Sequence, residues 1–345
     1  MTTASLLAQA SSIDIHAHAV LEGSMHQAGV HGPELGDQDS DSPWFRVGDY
    51  RLDGVRYAGG PFMDLQLRIA AMDAVNLDFQ VLSPNPLTYF HFIDATHATA
   101  FCRAHNLALA EQVALAPERV AAFAALPMQD VNAAIRELRF AVLELGMLGG
   151  YIGTDIGRPL NDPALDPFYA CCVDLDVPLF FHPAPAGIDG PSGDPNLLQF
   201  DLDLLTGFAA QETIAVATLI YGGVLLRHPA LDICISHAGG AIASLIGRLD
   251  RACVKRAWVP QALQYEGAFE EALQRLWFDT HVHDDRVLSF FRSLVGDQRL
   301  LLGTNFSGWD QHQLEVDPDL MRLFTTNAKR LFRAESIADN GRHFD

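Results

Sequence analysis

The chain has 345 residues, a length that suits one large α/β barrel or roughly two average domains. Its 43 acidic and 23 basic residues leave a formal net charge of −20. That balance argues against a nucleic-acid binder and against docking on anionic lipid, since both need a basic face. With 49% hydrophobic and 19% charged residues, it is too apolar for a disordered chain and too charged for a membrane bundle.

The five cysteines, Cys102, Cys171, Cys172, Cys234 and Cys253, are an odd number without a C-x-x-C pair. A disulfide framework is therefore not expected, and a reducing compartment is. Residues 6–10 faintly resemble a cleavage site, but no Lys or Arg precedes Arg46 and the apolar stretch is short. The longest uncharged apolar stretch, residues 213–226, falls short of the roughly 20 residues of a membrane span. The expectation is a soluble, cytoplasmic protein.

Taken in chain order, short apolar runs alternate with helix-like segments. The first strand is expected at 13–15. Residues 21–62 then break the pattern, rich in Gly, Asp and Pro with turn signals at Asp53-Gly54 and Gly59-Gly60-Pro61. A strand at 79–83 follows, closed by Pro84-Asn85-Pro86. Asp94 can cap a helix through Phe101, Ala104 and Ala108, stopped by Pro117. Further strands are expected at 120–126, 147–152, 177–181, 231–236, 276–279 and 300–302. Helical spacing marks 131–145, with Gly146 as its C-terminal cap, and also 241–258 and 284–294. Eight strands alternating with helices predict a (β/α)8 TIM barrel formed by one domain over 1–345. Residues 21–62 are then a small insertion after strand 1, expected over the C-terminal face. An open doubly wound sheet is the other architecture, but no G-x-G-x-x-G or Walker loop supports it.

Histidines mark the strand ends. In Ile13-Asp14-Ile15-His16-Ala17-His18, residues i and i+2 point to the same side of a strand, so both imidazoles can converge on one ion. His182 in Phe180-Phe181-His182-Pro183 and His237 in Ser236-His237-Ala238-Gly239-Gly240 also stand where apolar strands stop. Singly, each is more often a packing histidine. A barrel gathers its strand ends at one mouth, and catalytic zinc sites use three protein ligands and keep a position open. A second H-x-H, His281 and His283, follows the seventh strand. It could serve a second metal, a substrate contact, or nothing. Asp284 and Asp285 directly after it favour a helix start, and His283 is read as part of that.

Together these stretches resemble the metal-dependent amidohydrolase superfamily. The similarity is closest to its aminocarboxymuconate-semialdehyde decarboxylase and γ-resorcylate decarboxylase branch. It is carried by the H-x-H strand, Arg68-Ile69-Ala70-Ala71-Met72-Asp73, Asp78-Phe79-Gln80-Val81-Leu82-Ser83, Leu126-Pro127-Met128-Gln129-Asp130, His182-Pro183, Ser236-His237-Ala238-Gly239-Gly240, Asp279-Thr280 and Gly303-Thr304-Asn305.

The resemblance implies a decarboxylase that releases carbon dioxide from a small aromatic or unsaturated carboxylic acid. It implies one divalent ion, zinc or alternatively manganese, held by His16, His18 and His182 with Asn305. His237 is implied as the catalytic histidine beside a metal-bound water. Arg56, or else Arg51, and Arg248 are implied to hold substrate carboxylates, and His281, from its place at the strand end, is expected as a further substrate contact. Arg248 would act in a neighbouring subunit's site, which implies a homodimer.

Asn305 departs from the family's aspartate after the eighth strand. A neutral amide can coordinate a metal but cannot act as a base. Natural divergence, an introduced substitution, and Asp310 supplying the carboxylate from a shifted loop all remain open. If Asn305 is native, the proton carrier is His237, Asp310 or His281. A metal-dependent hydrolase or hydratase on the same scaffold is the alternative activity, and an inactive binding barrel a further one.

Overall fold

The computed structural model describes residues 3–185, 194–311 and 316–334. Eight barrel strands are present among them: β1 (Ile13–Ala19), β2 (Phe79–Pro84), β3 (Val120–Ala122, continuing at Ala124–Ala125), β4 (Gly150–Gly153), β5 (Leu179–His182), β6 (Ile233–Ile235), β7 (Trp277–Asp279) and β8 (Leu300–Leu301). The ladders between them are parallel and run in chain order. Asp14 bridges Leu302, and Ile15 N–H donates to the Leu302 carbonyl at 3.0 Å, which closes β8 onto β1. The stretch expected as one strand at 120–126 is broken at Phe123. Its first half pairs with β2 and its second with β4, so the ladder hands over there.

The strands alternate between an inner and an outer face, as a barrel wall requires. Phe180, Cys234 and Trp277 belong to the inner cluster, whereas Leu179, Phe181, Ile233, Ile235 and Phe278 belong to the layer that also holds the helices. His182 has the parity of Phe180, and Asp279 that of Trp277. Both therefore face inward at the C-terminal ends of their strands.

Eight helices of nine residues or more flank the barrel among the described residues: α1 (Leu65–Ala74), α2 (Ala95–Leu115), α3 (Val131–Leu143), α4 (Asp166–Asp174), α5 (Phe208–Tyr221), α6 (Ile242–Lys255), α7 (Asp285–Val295) and α8 (Pro318–Leu331). The Asp94 carboxylate does cap α2, accepting from the N–H groups of Thr96 and His97. Asp284 caps α7 by accepting from Arg286.

The helical stretch Asp203–Tyr221 is long and apolar enough to cross a membrane by length and composition. In this fold α5 packs on the barrel through Ala215, Val216, Leu219 and Ile220, and it buries Glu212 on the same side.

The insertion carries a three-stranded antiparallel sheet, Glu34–Gly36, Trp44–Val47 and Tyr50–Asp53. Phe45 and Tyr57 pack their rings 5.0 Å apart, and Tyr57 packs on Phe62 at 4.8 Å. The Asn85 amide meets the Tyr57 hydroxyl at 3.5 Å, so the insertion touches the loop that leaves the end of β2.

Candidate active site

The inward-facing strand ends bring five histidines together. Ring centroids of His16, His18 and His182 lie 4.8–5.0 Å apart. His237 is 5.1 Å from His16 and 4.9 Å from His182, and His281 is 5.5 Å from His16.

Hydrogen bonds to the far ring nitrogens set the tautomers. His16 Nδ1 faces the Asp279 carboxylate at 2.8 Å, His18 Nδ1 the Pro84 carbonyl at 3.0 Å, and His182 Nδ1 the Pro183 carbonyl at 2.6 Å. A carboxylate or carbonyl oxygen only accepts, so each Nδ1 carries the proton and each Nε2 presents a lone pair. Ligand nitrogens from the three residues fall within 4.8 Å of one another, and the Nε2 atoms of His16 and His18 are only 3.2 Å apart. Burial favours the neutral form of all three. His18 is pushed down to about 3, and His16 and His182 are held well below the ordinary histidine value. Three buried lone pairs aimed at one point repel each other unless a cation lies between them. This donor set therefore fits a divalent ion with three protein ligands.

Beneath the ligands lies a buried polar network. Asp14 accepts from the N–H groups of His16 (3.0 Å) and Thr304 (3.1 Å), from Thr304 Oγ1 (2.7 Å) and from Gln80 Nε2 (3.0 Å). Burial raises its pKa to about 6 despite these bonds. Arg68 donates to Gln80 Oε1 at 3.0 Å and to the His18 carbonyl at 2.6 Å. Burial lowers Arg68 to about 10. The network joins β1, β2 and the loop after β8, and it fixes where His16 and His18 point. Arg68→Met keeps the bulk but leaves two buried acceptors without a donor. Stability should fall by about 2–6 kcal/mol, at about 1–3 kcal/mol per orphaned group. Urea unfolding measures this, and a loss below about 0.5 kcal/mol, the range of an ordinary surface substitution, would show that the network does not hold the strands.

His237 stands apart from the ligand set. Its Nδ1 faces the buried Glu212 carboxylate of α5 at 2.6 Å, and Ser236 Oγ donates to the same oxygen. Burial alone would lower its pKa, but Glu212 outweighs that, helped by Asp279 and Asp310, and pushes it up to about 9. The backbone is bent to put it there. His237 and Ala238 have φ of 46° and 51°, a left-handed conformation that costs side-chain-bearing residues and recurs at functional sites. Gly240, also left-handed at φ 67°, lets the start of α5 come close. A Cβ there would lie 2.3 Å from the Ala209 carbonyl oxygen. That approach sets Glu212 beside His237.

Of the remaining expected residues, the three arginines lie on the exposed surface. Arg56 is exposed, and its guanidinium donates to the Ser40 carbonyl at 2.6 Å within the insertion. Its neighbour Tyr57 turns inward to pack on Phe45 and Phe62, which turns Arg56 out. Arg51 is exposed as well, paired with Asp53 and stacked over Trp44. Arg248 is exposed on α6. Asn305 lies at the mouth with φ of 48°, and its amide nitrogen donates to Asp310 Oδ1 at 2.5 Å. The helix start expected directly after His283 is present, with Asp284 capping α7, and His283 also groups with His281 and Asp310 on the loop after β8. Glu212 was not anticipated. Nor was the half-buried Phe208, whose ring lies 5.8 Å from His182 and 6.0 Å from His237.

Residues 13–334 match the family described as Amidohydrolase. The chain belongs to the amidohydrolase family. Among its relatives is the 2-amino-3-carboxymuconate-6-semialdehyde decarboxylase of Dictyostelium discoideum, 31% identical over 70% of this chain and 66% of that protein. The γ-resorcylate decarboxylase of Rhizobium radiobacter is 29% identical over 86% of this chain and 94% of its own length. A solved dihydroxybenzoic acid decarboxylase from Polaromonas sp. JS666, with bound manganese and the inhibitor 2-nitroresorcinol, superimposes with a TM-score of 0.72. It is 23% identical and covers 96% of this chain and 99% of its own. This amidohydrolase thus shares its barrel with decarboxylases of that family.

Proposed function

We propose that this amidohydrolase is a metal-dependent decarboxylase that releases carbon dioxide from a small aromatic or unsaturated carboxylic acid. The observation that carries the reading is the set of three neutral, inward-facing Nε2 atoms of His16, His18 and His182 beside the His237–Glu212 pair. The two curated relatives described above are decarboxylases by name and support the reaction type. Phe208 supports a planar substrate, since its ring offers an apolar wall next to His182 and His237.

The residues divide the work as follows. His16, His18 and His182 would hold the ion, with zinc and manganese both suited to the donors. When bound, it supplies a Lewis acid that draws electron density from a substrate oxygen beside the scissile bond. Loss of carbon dioxide leaves an electron pair on carbon, and that carbon needs a proton. His237 is placed to deliver it, because Glu212 favours its protonated form and orients its ring. Asp279 locks the tautomer of His16, so that Nε2 stays unprotonated.

We further propose a homodimer, supported by Arg248, exposed on α6 near the exposed Leu245, which must reach another chain's mouth if it is to touch a substrate. The insertion, in contact with the loop after β2, is proposed to shield the mouth.

A turnover screen over carboxylated phenols and unsaturated dicarboxylates tests the activity. Carbon dioxide should be released in step with substrate loss. A product that has gained water without releasing carbon dioxide would replace this reading with a hydratase or hydrolase.

A further inference from the structure

Beside the three-histidine centre lies another set of donors. Past the end of β7 the chain runs Thr280-His281-Val282-His283, again an H-x-H at a strand end. Its two rings stand 4.8 Å apart at 81°, nearly the 5.0 Å and 78° of His16 and His18. The loop after β8 adds a carboxylate. Asp310 Oδ2 lies 3.1 Å from His281 Nε2 and 3.6 Å from His283 Nε2. One ligand atom from each of the three residues falls within 4.8 Å of the others.

We propose that His281, His283 and Asp310 form a second divalent-cation site at the barrel mouth, distinct from the His16–His18–His182 centre. Two imidazoles and a carboxylate are ligands that zinc, manganese and cobalt share, and three protein donors leave positions open for an outside ligand. Access is available, since the His283 side chain is 54% exposed and that of Asp310 19%. His283 faces the carboxylate at 3.6 Å, and its ring keeps the crossed geometry of the β1 pair.

Asn305 gains a role from this arrangement. Its amide N–H holds Asp310 Oδ1 and leaves the other oxygen directed at the two histidines. A carboxylate at 305 would set two acceptors in that short contact and drive them apart. Asn305 is thus a positioning residue of the second site. Resting on the decarboxylase reading, an ion here would also give an anionic substrate oxygen a counter-charge that Arg56, turned outward, does not supply.

The test counts ions and does not use turnover, so its failure is separate from that of the decarboxylase reading. Chelator-stripped protein titrated with Mn2+ by calorimetry and electron paramagnetic resonance should bind two ions per chain. Asp310→Asn and His283→Gln should each leave one. His283 is half exposed, so its variant remains informative if the Asp310 variant fails to fold. Saturation at one ion in the unaltered protein, or two ions retained in the folded variants, overturns the proposal.

Discussion

His182→Ala should purify with one metal ion fewer per chain and lose about three to four orders of magnitude in turnover. The removed imidazole comes from β5, whereas the two that remain come from β1, two residues apart. Two donors from one strand leave most of the coordination sphere to solvent, and an ion so held is easily stripped. Lewis-acid catalysis contributes several kcal/mol, and each factor of ten in rate corresponds to about 1.36 kcal/mol. A loss of about 4–5 kcal/mol therefore gives the expected range. Metal analysis alongside carbon dioxide release measures both effects. Full metal content with unimpaired turnover in the alanine variant would mean that the working centre lies elsewhere.

Glu212→Gln should reduce turnover by about 10²–10⁴-fold, the range that positioned proton transfer supplies. Glutamine keeps the shape, and its carbonyl oxygen can still accept from His237 Nδ1, so the fold should survive. What is lost is the negative charge that favours the imidazolium. In the native pair the pKa of His237 lies above the ordinary histidine value. A bound cation lowers it, and removing Glu212 lowers it again. The acid form is present below that pKa and disappears as pH rises through it. The alkaline limb of the rate profile should accordingly shift to lower pH in the glutamine variant. Metal content should stay unchanged, because Glu212 bonds to His237 and Ser236 rather than to a ligand histidine. A parallel loss of metal would identify Glu212 as a structural support of the centre.

The barrel was legible because its strands are short apolar runs separated by well-signalled helix starts such as Asp94 and Asp284. Four of the gathered histidines were legible for a related reason. A residue at the end of an inward-facing strand register points into the mouth, which holds for His16, His18 and His182, whereas His237 has the parity of the outward-facing Ile235, was legible from its place where β6 stops, and is turned inward by its left-handed backbone.

Glu212 escaped because its position depends on packing between elements. It sits 25 residues before His237, on a helix that reads as an apolar run. Its single signal is one carboxylate in Phe208–Tyr221, on a side otherwise buried. Arg56 misled because the insertion's sheet determines which side chains turn out, and no strand register links that sheet to the barrel. The grouping of His283 with Asp310 depends on the path of the loop after β8, which periodicity does not encode.

The ligand strands β1 and β5 are fourth neighbours in an eight-stranded ring, so they stand on opposite walls. An ion held by His16, His18 and His182 would act as a strut across the diameter, at the end where the wall is made of loops. Folding and catalysis would then draw on the same bond. Metal concentration would set how firmly the two walls are held together, by an amount that grows with the logarithm of ion concentration over its dissociation constant. A mesh of backbone hydrogen bonds ties each strand to its neighbours and side-chain packing fills the space between facing walls, whereas an ion held from both sides would tie those walls together at their loop end.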